Sequence, residues 1–112
     1  MPHDPHLAEL MRGALTGRRG VTEKAMFGGY CWFLHGHMLC GVEVGRFMFR
    51  VGKALEAEAV ARGAEVVAFT GRPMGGIVWV DADAALDSGL TDWIDFAAQF
   101  VGALPPKGSI WV

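Results

Sequence analysis

The sequence is short of the side chains and motifs on which most enzyme families depend. Its only serines are Ser88 and Ser109, neither lies in a Gly-x-Ser-x-Gly turn, and no Ser/His/Asp or Cys/His order is evident. The glycine-rich segments 27–30 and 71–76 lack the lysine of a phosphate-binding loop and the strand-then-helix setting of a dinucleotide fingerprint. The sequence therefore predicts a protein that is not an enzyme, with no catalytic residues and no cofactor.

Charge is also scarce, and neither sign dominates. Only 20% of the 112 residues are charged, ten Lys plus Arg stand against twelve Asp plus Glu, and the net charge is -2. A chain without a basic excess cannot hold a phosphate backbone by counterion release, so direct nucleic-acid binding is not expected. Apolar residues make up 52%, far from the composition of disordered chains. The length predicts one domain over 1–112, with a core at about 5–104 and a tail at 105–112.

Long hydrophobic runs are absent, with one exception at residues 25–42. This stretch has no charged side chain over 18 positions, which is near the shortest length for a membrane-spanning helix. It is interrupted by glycines and has His35 and His37 at its centre, so a helix there would be weak and would place two imidazoles deep in the bilayer. The sequence start also lacks the basic and apolar regions of a secretory signal. The expected location is the cytoplasm, with no membrane contact.

Hydrophobic periodicity divides the chain into helices and strands. Apolar residues recurring at three and four positions, together with terminating Gly or Pro, predict helices at 5–15, 53–62 and 91–104. Apolar runs bounded by turn-forming residues predict strands at 27–34, 38–44, 47–51, 65–69 and 76–80. The order α-β-β-β-α-β-β-α predicts an α+β fold with helices against one face of an antiparallel sheet.

Two-residue turns at His35-Gly36 and Val44-Gly45 fix a predicted register for the first three strands. In this register Cys31 lies opposite Cys40, which in turn lies opposite Phe49. The predicted core face consists of Cys31, Phe33, Met38, Cys40, Val42, Phe47, Phe49 and Val51. The predicted second face consists of Tyr30, Trp32, Leu34, His37, Leu39, Glu43, Arg46, Met48 and Arg50. Because a β-branched residue such as Val44 disfavours positive φ, a bulge at the second turn would exchange the faces of the third strand.

Cys31 and Cys40 are the pair with the clearest chemical potential. Facing cysteines in a hairpin lie close enough in principle for a disulfide, which would suit a small thiol redox or metal-responsive protein. Buried thiols of an intracellular protein are more often small apolar core residues with raised pKa and low reactivity. His35 and His37 lie at the hairpin tip, away from the thiols, so no zinc site is predicted. Core packing is the favoured interpretation, and a redox or metal sensor is the alternative.

The second sheet face has the composition of a protein interface. Trp32, Leu39 and Met48 lie at its centre with Arg46 and Arg50 at its rim, and aromatic residues, Met and Arg are enriched at interfaces. These five residues are the candidate partner-binding site, which could also mediate a homodimer. The apolar segment 109–112 could instead fold back over the same face. The sequence leaves both interpretations open.

A family resemblance lies in the segment KAMFGGY at 24–30, followed by WF at 32–33 and GRFMFRV at 45–51. A later GRPM at 71–74 has the matching position. Over about residues 7–104 the chain resembles the TfoX/Sxy N-terminal domain family. The resemblance implies a secretion-chaperone-like α+β fold with the order α-β3-α-β2-α, and it supplies no catalytic residues.

The resemblance also implies a function. Full-length members of the family are regulators of natural competence that act with the cyclic-AMP receptor protein at promoters. We therefore expect a stand-alone N-terminal domain that regulates transcription through protein contacts in a bacterial cytoplasm. A secretion-chaperone-like binder of another polypeptide is a further alternative, which depends on fold analogy alone.

Overall fold

Six antiparallel strands form one continuous sheet in the computed structural model, which describes residues 5–26, 29–69 and 72–104. The strands are β1 (Val21–Met26), β2 (Gly29–Leu34), β3 (His37–Val42), β4 (Arg46–Arg50), β5 (Glu65–Phe69) and β6 (Arg72–Asp81). The helices are α1 (Pro5–Ala14), α2 (Glu56–Ala61), which follows a 3₁₀ turn at Lys53–Leu55, α3 (Ala82–Ser88) and α4 (Leu90–Val101). The strand order across the sheet is β1-β2-β3-β4-β6-β5, so the predicted α+β class is confirmed.

The predicted element order lacked one strand and one helix. β1 was missed because its central Thr22, Glu23 and Lys24 are polar and exposed, which is common for a strand at the edge of a sheet. No element was predicted over α3, in which Ala82 and Ala85 are buried. β6 begins at Arg72, before the predicted start of that strand at residue 76. Residues 27–28 of the first predicted strand and the predicted tail at 105–112 lie outside the described residues.

The described helices all pack on one face of the sheet and enclose the helix-side core. From α4, Trp93, Ile94 and Ala97 are buried at helical spacing, as the periodicity of this segment predicts. The Trp93 ring stacks on Phe49 of β4 with the ring centroids 5.5 Å apart. The strands contribute Trp32, Leu39, Cys40, Val42, Phe47, Phe49, Val78 and Val80 to this core, and Val51, which follows β4, also belongs to it.

The β2–β3 hairpin contains a bulge that the sequence did not predict. At its tip the predicted pairing of Phe33 with Met38 is confirmed, and His35 takes the positive φ of 52° that the tight turn requires. The register then shifts, so that Trp32 pairs with Cys40 and Leu39 becomes the extra residue of β3. The shift moves the side chains of β2 to the faces opposite those predicted.

The β3–β4 hairpin keeps its predicted register. Val42 pairs with Phe47 and Cys40 pairs with Phe49. Gly45 takes the positive φ of 75°, and His35 is the only described non-glycine residue in that region, so Val44 escapes the strain. The faces of β4 are therefore as predicted.

Two glycines allow the end of β4 to cross close to β6. Gly52 has φ 83°, and a Cβ atom there would lie 2.5 Å from Phe100 Cδ1. Gly76 has φ 86°, and a Cβ atom there would lie 3.0 Å from the Cα of Gly52. The Gly76 carbonyl accepts hydrogen bonds from the N–H groups of Val51 and Gly52, and its own N–H donates to Glu56 Oε2 at 2.7 Å. A side chain at Gly76 would clash with the Gly52 backbone, and one at Gly52 would clash with the Phe100 ring of α4.

Candidate functional site: the open face of the sheet

The face of the sheet opposite the helices carries a second apolar cluster. The cluster, called the open face below, consists of Cys31, Phe33, Met38, Met48, Val67, Ile77 and Trp79. All seven residues lie on strands, whereas the buried residues of the described helices belong to the helix-side core. Over the described parts of the chain, this apolar surface therefore has no helix packed on it.

The centre of the open face is closed by close packing over a glycine. Gly41 of β3 pairs with both Cys31 and Met48. A Cβ atom at Gly41 would lie 3.1 Å from the Cys31 Sγ atom and 3.2 Å from the Met48 Cε atom. Because Gly41 has no side chain, these two side chains meet above it and are only 1% and 3% exposed. The surrounding side chains of Phe33, Met38, Ile77 and Trp79 are half-buried, so they form the accessible part of the face.

Arginine side chains border the open face and are held in place. The Arg46 guanidinium lies 3.5 Å from the centroid of the Trp79 ring, and Arg46 Nε donates to Glu43 Oε1 at 3.2 Å. Stacking of this kind favours a cation over the ring face. Arg50 reaches over the end of the sheet, where its guanidinium lies 5.4 Å from the Phe100 ring. The face therefore has an apolar middle and a partly ordered cationic border.

The structure divides the five residues predicted to bind a partner between the two faces of the sheet. Met48 lies on the open face with Arg46 and Arg50 at its border, as predicted. Trp32 and Leu39 are wrong, because they lie in the helix-side core at 2% and 0% exposure. The bulge at Leu39 causes both errors, since it reverses the faces of β2 and turns Leu39 toward the helices.

Because of the same bulge, three members of the open face were predicted on the wrong face of the sheet. Cys31, Phe33 and Met38 were predicted in the core and lie on the open face. Ile77 and Trp79 come from β6, which lies beside β4. Their alternation with Val78 and Val80 places them on one face, and this was the available sequence signal. The pairing of β6 with β4 then brings these two residues beside the other members of the open face.

The two cysteines lie on opposite faces of the sheet. Cys40 lies in the helix-side core with its Sγ atom 3.7 Å from Met11 Sδ, and Cys31 lies on the open face. Both are free thiols. The predicted pairing of Cys31 with Cys40 is wrong, because Cys31 pairs with Gly41 and Cys40 pairs with Trp32. Burial raises the pKa of the Cys31 thiol to about 11 and raises that of Cys40 further. Neither thiol is ionised near neutral pH, and their geometry does not make a redox pair.

Ion pairs outside the open face tie the helices to the sheet edge. Arg12 of α1 donates from Nε and Nη2 to the two carboxylate oxygens of Glu23 on β1, both at 2.9 Å. This hydrogen bonding lowers the pKa of Glu23. Arg18 pairs with Asp95 of α4. The described residues contain no cluster of three or more His, Cys, Asp or Glu side chains arranged to hold a metal ion.

Comparison with known proteins gives one match. The family model of the TfoX N-terminal domain matches residues 14–101. No match was found among curated proteins or among solved structures. In the described part of the chain, every helix is too short or too polar to cross a membrane.

Proposed function

We propose that this chain, which belongs to the TfoX N-terminal domain family, is a non-enzymatic cytoplasmic regulator of transcription or competence that acts through protein contacts. The observation that carries the proposal is the open face, an apolar cluster without a helix on it in the described structure. The family resemblance supplies the biological context, and the open face supplies a physical means of contact.

The composition of the open face supports a role in binding protein. Its accessible side chains include Phe33, Met38 and Trp79. Aromatic residues and Met are enriched in the cores of protein interfaces, where most of the binding energy arises. Arg46 is already held against Trp79 by Glu43, so a partner would lose little side-chain entropy by ordering it. Preorganised aromatic and arginine side chains of this kind favour protein recognition.

The chemistry of the thiols also favours binding over catalysis. Cys31 and Cys40 are buried, and their raised pKa values keep both in the weakly nucleophilic thiol form near neutral pH. In the proposed role Cys31 is a buried apolar member of the open face and takes part in no covalent chemistry.

Affinity capture with face-specific variants tests the proposal. The immobilised chain is exposed to nuclease-treated lysate of its native host, as wild type, as Met38→Glu and as Val60→Glu. Val60 is 46% exposed on α2, so its substitution adds the same charge away from the open face. RNA polymerase or a cyclic-AMP-receptor-like regulator should be retained by the wild type and by Val60→Glu, and lost with Met38→Glu.

The retained protein is then purified and its affinity measured directly. A partner at a standard interface should lose at least about tenfold in affinity with Met38→Glu, or about 1.4 kcal/mol. Circular dichroism confirms that each variant is folded. Equal retention by Met38→Glu, or retention of no transcription protein at all, would count against the proposal.

A second copy of the chain is the other protein partner to be tested. Sedimentation equilibrium of the wild type and of Met38→Glu measures self-association through the open face. A homodimer that becomes monomeric in Met38→Glu would assign the face to self-association, and the regulatory partner would then have to bind elsewhere.

A further inference from the structure

A pocket lies at the end of β4, where this part of the chain approaches β6 and the end of α4. Its volume is about 400 Å³, and its lining residues are Arg50, Gly52, Lys53, Ala54, Gly76 and Phe100. Pockets that bind small molecules measure about 300–1,000 Å³. This pocket is therefore large enough for a small ligand, and its lining determines which chemistry it accepts.

Two glycines place main chain, rather than side chains, in the wall of the pocket. Gly52 and Gly76 are buried and have φ 83° and 86°, a region that favours glycine. A Cβ atom at Gly76 would lie 3.1 Å from the Lys53 nitrogen, and one at Gly52 would clash with the Phe100 ring. The half-buried Phe100 ring therefore packs close to the Gly52 backbone, and Phe100 and Ala54 provide the apolar side-chain surface of the lining.

The charged side chains at the pocket are both cations. Among the described residues that line it, Arg50 and Lys53 are basic and none is acidic. Within the described chain, neither of them forms an ion pair, whereas carboxylates pair with Arg12, Arg18, Arg46 and Arg62. Glu56 lies beside the pocket but outside its lining, and its Oε2 atom accepts the Gly76 N–H at 2.7 Å. The pocket therefore combines apolar surface with two positive charges that lack an ion-pair partner.

Two cations beside apolar surface favour a doubly charged anion that carries an apolar group. A phosphate monoester has a charge of about −1.5 to −2 near neutral pH and three acceptor oxygens, whereas a carboxylate has one charge. Both Arg and Lys bind phosphate, Arg through its planar fork and Lys as a point charge. Arg50 is half-buried with its guanidinium 5.4 Å from the Phe100 ring, so its position is already restricted and less side-chain entropy is lost on binding.

We propose that this pocket binds a small phosphate monoester, with the phosphate held by Arg50 and Lys53 and the organic group against Phe100 and Ala54. The site goes beyond the proposed function and does not depend on a protein partner. Arg50 also borders the open face, so the test uses Lys53, which lies in the 3₁₀ turn outside that face.

Titration of the full chain with phenyl phosphate, followed by amide NMR, tests the site at defined positions. The N–H resonances of Gly52, Lys53 and Gly76 report on the pocket, and that of Gly45, which precedes the other end of β4, is the reference. The first three should shift with one saturable dissociation constant, while Gly45 should not move. Inorganic phosphate should shift the same resonances with weaker affinity, because it lacks the ring. Phenol, which lacks the charge, should shift none of them at the same concentration.

Two lysine variants separate a specific site from general attraction to positive charge. Lys53→Gln should weaken phenyl phosphate binding at least about fivefold, because a charge-assisted hydrogen bond is lost. Lys24→Gln removes the same charge from the exposed part of β1 and should change the affinity less than about twofold. The amide spectrum of each variant shows whether it is folded.

Three results would overturn the proposal. Unsaturated shifts that include Gly45, or equal affinities of Lys53→Gln and Lys24→Gln, would indicate an adventitious anion only. Equal affinities for phenyl phosphate and inorganic phosphate would show that Phe100 and Ala54 hold no organic group. The titration uses the purified chain alone, so failure to capture a transcription partner would leave its result unaffected.

Discussion

The two faces of the sheet are built from the same strands but differ in what covers them. On the helix side, Phe47 and Phe49 of β4 and the following Val51 are 0% exposed beneath the helices. On the open face, Met48, Cys31 and Val67 are also buried, but the other members of the cluster are only half-buried. An antiparallel sheet that is covered on one side normally has polar residues on the other. The apolar open face is a departure from that rule, which is why we propose it as the contact surface.

The largest expected effect contrasts two phenylalanines on the two faces. Phe49→Ala should destabilise the protein by about 3–5 kcal/mol, because it leaves a cavity beneath the ring of Trp93. Phe33→Ala should cost clearly less, because its ring is only half-buried and water can fill the space left behind. Urea denaturation followed by circular dichroism measures both free energies of unfolding. Equal costs would show that the open face is as enclosed as the helix-side core.

The next largest effect is expected at Gly76, which packs against the backbone of Gly52. Gly76→Ala should cost more than the roughly 1–2 kcal/mol of left-handed strain alone, because the new Cβ atom would lie 3.0 Å from the Gly52 backbone. Gly63→Ala is the matched control, since Gly63 has φ 105° but nothing within 4 Å of its Cβ position. Its cost should be limited to the strain. The thermal unfolding midpoints of the two variants provide the measurement. Equal midpoints for Gly76→Ala and Gly63→Ala would contradict the close backbone crossing.

A smaller effect separates the two thiols at alkaline pH. Both folded-state pKa values are raised, so each thiol contributes stability that is complete below the unfolded pKa near 8.5 and is lost as pH rises. For Cys31 the loss of stability should extend to about pH 11. Cys31→Ala should flatten the pH dependence of the unfolding free energy over this range. Cys40→Ala should flatten the pH dependence over a range that extends to higher pH, because burial raises the Cys40 pKa further.

The two variants also compare the accessibility of the thiols by their labelling rates, because Cys40→Ala retains only Cys31 and Cys31→Ala retains only Cys40. Cys31 lies on the open face, and Cys40 lies under the helices. Cys31 should therefore react faster through local opening, while Cys40 should require more extensive unfolding. The reverse order would contradict the assignment of the two faces.

The smallest expected effect is at the exposed edge strand. The pKa of Glu23 is lowered by its hydrogen bonds from Arg12, so the pair contributes stability above the unfolded pKa near 4.3 that is lost as pH falls through the folded value. Glu23→Gln should reduce the loss of stability between about pH 5 and pH 3. Urea midpoints at these two pH values provide the measurement. Glu9→Gln is the control, because Glu9 contacts Arg12 without bridging to the sheet.

Several elements were predictable because their signals are local. The α1 and α4 segments repeat apolar residues at helical spacing, and the Val44-Gly45 turn alone fixes the β3–β4 register. The Leu39 bulge was not predictable, because it turns both Leu39 and Cys40 toward helices distant in sequence, where Cys40 meets Met11. β1 was missed because an exposed edge strand has no apolar alternation and is held by pairing with β2.

The sequence by itself determined the α+β class, the family and the presence of two apolar sheet faces, because these follow from composition and alternation along single segments. Only the tertiary structure decided which face the helices cover. A one-residue shift in a strand moves every side chain to the other face, so local sequence is compatible with both assignments. The choice is made where α1 and α4 pack on Leu39, Cys40 and Phe49, and those contacts leave Phe33, Met38 and Trp79 on the open face.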